Sequence, residues 1–261
     1  TVWIYRYAYA PNNAEYEEVA EAGEMDKEYG YWYEIGVLDG WLGTELQSPC
    51  NQLFYLLLPF LAVLPYGSQL FSEWNNGYAG QMIIRCGRRR YLTARGIAAF
   101  VSGGCVIAIP LLVNFLSIAC FMPIIVTDPM ALQSVVPGRA LLGDLVYEAP
   151  ALYAAWYIFI DFIYGGLFAL MALAITQFCN NGFVLTILPL MFNCCMYYGV
   201  HNLIPDINAY NISLIPNPAQ QGMKLTWHSL FLSMSGTFLI LIVLFAASNY
   251  KKDVLRTGAM E

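Results

Sequence analysis

Charged residues are scarce in this chain of 261 residues: Asp, Glu, Lys and Arg together make up 11%, where a soluble domain carries about a quarter. So few charges cannot cover a water-facing surface, and an ordinary soluble domain is excluded. Reactive groups are just as sparse. The two histidines, His201 and His228, have no Cys, Asp or Glu cluster at metal-ligand spacing, and the seven cysteines form no CxxC, so neither a metal site nor a redox pair is expected. The sequence holds no HExxH and no GxxxxGK[ST], so it cannot bind ATP through a phosphate-binding loop of its own. The arginines are few and lack interleaved aromatics, which excludes nucleic acid as a partner.

What is present is apolar: 59% of the residues are hydrophobic and the mean hydropathy is +0.53. A helix needs about 20 mainly apolar residues to cross a bilayer. Five blocks meet that measure: Leu53–Phe71, Gly96–Met122, Ala151–Phe178, Gly182–Val200 and Trp227–Ala247. None contains Lys or Arg, and Asp161 is the only acidic residue in any of them. Pro59, Pro65, Pro110 and Pro189 fall inside these blocks, which membrane helices tolerate when neighbours satisfy the freed carbonyls. The cysteines in and beside the blocks are expected to pack as small hydrophobes. The chain therefore reads as an all-α polytopic membrane protein embedded in a lipid bilayer.

Loop charge gives an orientation, because cytoplasmic loops retain Lys and Arg. Alternating spans put the loop holding Arg85, Arg88, Arg89, Arg90 and Arg95 on one side with the tail holding Lys251, Lys252 and Arg256. The opposite side holds only Arg6, Lys27, Arg139 and Lys224. The first side is expected to be cytoplasmic and the chain to sit in the plasma membrane. Residues 1–52 then lie outside the cytoplasm, which leads to the expectation of a sixth, first span upstream of Thr1. The domain plan is an extracytoplasmic segment 1–52, a transmembrane region 53–248 and a cytoplasmic tail 249–261.

Ten of the eighteen acidic residues fall between Glu15 and Glu45. Ala14–Tyr29 has the composition of an acidic helix, and Tyr31–Trp41 is an aromatic stretch suited to a membrane interface. Together they read either as a packed cap or as a substrate-facing gate.

The cytoplasmic loop, residues 72–95, holds Glu73, Trp74, Gly77, the apolar run Met82, Ile83 and Ile84, then Arg88, Arg89, Arg90, Tyr91, Leu92 and Arg95. A basic amphipathic segment beside a membrane lies at the headgroups and fixes topology. The order of these residues also resembles the ABC-2 type permease family. There the second span is followed by Glu, Gly four residues later, an apolar stretch, Arg and a return with a basic residue near its start. The family usually has Pro shortly before the Arg; this chain has Cys86-Gly87. The broken, Pro- and Asn-rich stretch Tyr197–Pro218, within the outer loop 201–226, is similar to the family's half-inserted helices before the last span.

The resemblance implies a permease fold working as a homodimer or with a similar chain, coupled to a separate ABC ATPase subunit. Residues Glu73 to Tyr91 would form the ATPase-coupling segment, and no cofactor is expected in this chain, ATP and Mg being held by the partner. The implied activity is export, with an amphipathic peptide or drug-like molecule as cargo, and no enzyme chemistry in the chain itself.

Asp161 lies in the third visible span, with Tyr157 at i−4 and Tyr164 at i+3 on the same helical face. An ionisable residue in a span marks a pathway, or a hydrogen bond to a neighbouring span. Asn193 and Tyr197, also at i and i+4, add polar lining or packing to the fourth. Gly165-Gly166 reads as a close helix contact, and Asn211-Ile-Ser213 as a chance glycosylation sequon. Two other classes fit the same residues: a proton-coupled transporter using Asp161, and a non-transporting immunity or sensor component.

Overall fold

The structure is a computed structural model that describes residues 36–44, 49–122, 124, 141–175, 182–218 and 225–257. Every regular element among the described residues is helical. In chain order they are α1 (Val37–Gly40), α2 (Pro49–Asn75), α3 (Tyr78–Cys86), α4 (Arg88–Ala119), α5 (Gly143–Glu148), α6 (Pro150–Ile175) and α7 (Gly182–Cys194). A π-helical turn (Cys195–Val200), the short α8 (His201–Leu203), a 3-10 helix (Pro205–Tyr210) and α9 (Trp227–Thr257) complete the chain. The expected acidic helix Ala14–Tyr29 lies outside the described residues.

All five apolar blocks are helical over most of their described residues, the end of Gly96–Met122 forming a turn. Among the described residues, three helices are long and apolar enough to cross a membrane: Pro49–Tyr66, Arg88–Ala119 and Pro150–Ile175. The stretches Phe183–Gly199 and Trp227–Val243 are shorter apolar helices. This architecture is compatible with a helical membrane protein. The many large apolar side chains left on the outside, such as Leu112, Val113 and Leu116 on α4 and Phe238, Leu239 and Ile240 on α9, suit lipid better than water.

The central helix is α6, packed most extensively against α4 and also against α2 and α9, while α2 packs chiefly on α7. The contact between α6 and α4 is made possible by two glycine pairs. A Cβ on Gly103 would lie 2.5 Å from Ala169 Cβ, and one on Gly165 would lie 2.9 Å from the Gly103 carbonyl oxygen. Gly104 and Gly166 similarly receive the rings of Phe162 and Phe100. The expected contact at Gly165-Gly166 is therefore present, and Gly103-Gly104 is its other half.

Proline leaves its mark on α2. Pro59 has no N–H to offer the carbonyl of Tyr55, four residues back. The Asn193 side chain of α7 donates to that oxygen at 3.3 Å and to the Leu56 oxygen at 3.0 Å. The end of α7 is tied in turn by the residues that follow it. Ser213 Oγ donates to the Asn193 oxygen at 3.2 Å, and Asn211 Nδ2 donates to the Met196 oxygen at 2.9 Å.

At the same end of the bundle, residues 36–44 fold over α2 and α4. Trp41 is fully buried, its Nε1 donating to the Leu111 oxygen at 3.3 Å and its ring edge-on to Phe115. Asn114 Oδ1 accepts from the Leu42 amide at 3.0 Å, and Asn51 Nδ2 donates to the Leu42 and Gly43 oxygens. Asn217 links this turn to the later segment by donating to Asn51 Oδ1 at 3.3 Å. Trp41 is thus a packed core residue rather than an interfacial one. The cysteines depart from expectation in the other direction: of the six described, four are exposed and none is buried, because they fall on the outward faces of their helices.

Candidate functional site

Two constellations stand out, one at each level of the bundle. The first joins α2, α3 and α4. Gly77 (φ +72°) and Gly87 (φ +79°) flank α3, and both take a positive φ open to glycine at little cost. They let the chain leave α2, form a single short helix and re-enter as α4. The expected coupling segment is consequently split: Glu73 and Trp74 end α2, Met82 to Ile84 belong to α3, and Arg88 to Tyr91 open α4. The Trp74 side chain lies outside the described residues.

Arg95 is the hub of this junction. Its guanidinium forms an ion pair with Glu73 and donates to Tyr66 Oη at 2.7 Å. It also lies over the rings of Tyr66 and Tyr91, 5.5 and 5.3 Å from their centroids, within cation–π range. Tyr91 Oη donates to the same Glu73 carboxylate at 3.1 Å. Arg95 and Glu73 side chains are only 13% and 21% exposed, so screening by solvent is limited.

The apolar run of α3 divides in two. Met82 and Ile83 pack against Ala79, Tyr91 and Leu92. One position further round, Ile84 is 86% exposed, flanked by Arg85 and followed by the exposed Arg89 and Arg90. An open depression of about 490 Å³ beside α3 is lined by Glu73, Asn76, Tyr78 and Gln81. The residues offer a rigid corner carrying one outward hydrophobe, a basic rim and a polar hollow.

The second constellation is the polar face of α6. Tyr153, Tyr157, Asp161 and Tyr164 are all fully enclosed. Tyr153 Oη donates to the Pro218 oxygen at 2.8 Å, and Tyr164 Oη to Ser233 Oγ on α9 at 3.3 Å. Tyr157 lies against Tyr153, ring centroids 4.8 Å apart. Asp161 Oδ2 accepts from Tyr55 Oη of α2 at 3.4 Å, and its Oδ1 has no hydrogen-bond partner among the described residues. Asn193 is also buried, its amide engaged with α2 as above, whereas Tyr197 sits half-buried in the π-helical turn. The structure thus gathers Tyr157, Asp161 and Tyr164 on one face of α6.

Sequence reasoning missed Tyr55 and Tyr66, the partners that α2 supplies to Asp161 and Arg95. Both are tyrosines in an apolar block with no charged neighbour, and only the packing of α2 on α6 and α4 singles them out. No family model matches the chain, and no curated protein and no solved structure matches it either.

Proposed function

We propose that this chain is the permease subunit of an ATP-driven exporter of the ABC-2 type, forming the translocation path with a second permease chain. The observation that carries this reading is the junction at α3: a short amphipathic helix between two spans whose adjoining ends are joined by the Glu73–Arg95 pair. A partner pressing on α3 moves the ends of α2 and α4 together, because Arg95 ties Glu73, Tyr66 and Tyr91 into one unit. Ile84, with Arg85, Arg89 and Arg90 around it, is the surface such an ATPase would grip. An apolar anchor with a charged rim is a common form for an interface core. The second chain completes a two-fold pathway, and the cargo class is an amphipathic peptide or drug-like molecule.

The test is to purify the chain in lipid with a candidate P-loop ATPase and to measure ATP hydrolysis with and without the permease. The reading expects the two to co-purify and Ile84→Asp or Arg89→Glu to weaken that association at least tenfold. An ATPase indifferent to the permease and to both variants rejects it. A second reading, a proton-coupled transporter, is favoured by the enclosed Asp161. Transport by the chain alone in vesicles, driven by a pH gradient, would select it.

A further inference from the structure

We propose that Asp161 is the anionic ligand of a monovalent-cation site closed between α2 and α6, occupied by a proton or a sodium ion. This concerns the chain by itself and stands whether or not an ATPase is its partner.

Asp161 is 0% exposed. One oxygen has a single hydroxyl contact, to Tyr55 at 3.4 Å, beyond the usual range for an O–H···O bond. The other has no partner among the described residues. A bare carboxylate in such a place is very costly, since an unpaired charge loses its hydration without compensation. Something must neutralise it.

No described basic side chain can do so. Arg95 is engaged with Glu73 and Tyr66. Tyr66 lies eleven residues along α2 from Tyr55, about 16 Å at the helical rise. Arg85, Arg89 and Arg90 lie exposed at that same end, Arg88 opens α4 beside them, and His228, second residue of α9, is exposed. The other titratable groups near Asp161 are tyrosines: Tyr55 on α2, and Tyr153, Tyr157 and Tyr164 on α6. The elements packed around this region present groups that do not ionise: Gly103 and Ile107 of α4, Asn193 of α7 and Ser233 of α9.

A small cation satisfies these conditions. The ligands are one carboxylate and phenolic oxygen, hard donors that suit a proton or an alkali ion rather than a soft metal. One negative charge matches one positive charge, whereas divalent ions usually gather more carboxylates and waters. Complete enclosure favours the smallest candidates. Bound there, the cation holds α2 against α6. Its release requires the two helices to part and water to enter, which links occupancy to helix movement.

The test uses the purified full chain in lipid nanodiscs and reads its thermal unfolding midpoint. One series varies pH in sodium-free choline chloride. The other varies NaCl at fixed pH, with choline holding ionic strength constant. A proton site gives a midpoint that falls as pH rises and ignores sodium. A sodium site gives a midpoint that NaCl raises by about 5–11 °C at a hundredfold excess over Kd and that choline does not. In either case Asp161→Asn, neutral and nearly isosteric, abolishes the response, and Tyr55→Phe weakens it. The proposal is overturned if the Asn variant responds to pH and NaCl as the wild type does, or if the wild type responds to neither. Should Asp161→Asn fail to fold, an unaltered response in Tyr55→Phe overturns it equally.

Discussion

Replacing Gly103 by alanine puts the packing of the bundle to a quantitative test. The added Cβ would lie 2.5 Å from Ala169 Cβ and 3.0 Å from both the Ala62 and Gly165 carbonyl oxygens. Carbon atoms pack at about 3.5–4.0 Å, so α4 must retreat by about 1 Å from α2 and α6 together. None of the three obstacles is the tip of a flexible side chain. Overpacking of this kind costs about 1–3 kcal/mol. Alanine returns up to about 1 kcal/mol through its better helix propensity, leaving a net loss near 1–2 kcal/mol. For a chain of this size that is a fall of about 2–8 °C in the unfolding midpoint, measured on the purified protein in lipid. Gly80→Ala in α3 and Gly236→Ala in α9 are the controls, because nothing lies within 4 Å of either added Cβ; they should leave the midpoint unchanged or raise it. A Gly103→Ala protein as stable as these controls would refute the close crossing of α4 and α6.

Three further substitutions test the polar ties. Arg95→Met strands the half-buried Glu73 carboxylate with only Tyr91 as donor and should cost about 2–3 kcal/mol; adding Glu73→Gln should recover most of it in a double-mutant cycle of unfolding midpoints. Asn193→Leu leaves the Tyr55 and Leu56 carbonyls without their side-chain donor, at about 1–3 kcal/mol. Pro59→Ala in the same protein should offset part of that loss, since alanine restores an N–H that can bond the Tyr55 oxygen, and thermal melts of the single and double variants decide the point. Tyr153→Phe removes the hydroxyl that donates to Pro218 at 2.8 Å. It should cost about 1 kcal/mol and speed proteolytic nicking within 211–218, read by the rate of fragment appearance.

Helix positions were legible because hydropathy alone marks a helix that needs no water-facing side. What hydropathy cannot give is which helices touch, since lipid-facing and partner-facing positions are equally apolar. Gly165-Gly166 announced one half of a close contact, but Gly103-Gly104 drew no notice inside an equally apolar block. Asp161 stood out by its charge, with Tyr157 and Tyr164 following from helical spacing; Tyr55, on a helix a hundred residues earlier, required the packing of α2 on α6. Asn193 shows the same limit from the other side. Its spacing to Tyr197 read as polar lining or packing, and the spacing alone could not show that its amide serves a carbonyl that Pro59 releases on another helix.

That last case carries a more general consequence for reading polar residues in apolar segments. Proline in a span creates a demand for a donor at the residue four places earlier, and a neighbouring helix must meet it. A buried Asn can therefore be explained by a proline far away in sequence, and a lining role should be assigned only after that demand is accounted for. Asn193 passes into the structural group on this test. Asp161 does not, because among the described residues its Oδ1 meets no donor and no cation reaches it. The asymmetry between two buried polar residues, one fully employed and one half-unpartnered, is what directs functional attention to Asp161 rather than to its whole neighbourhood.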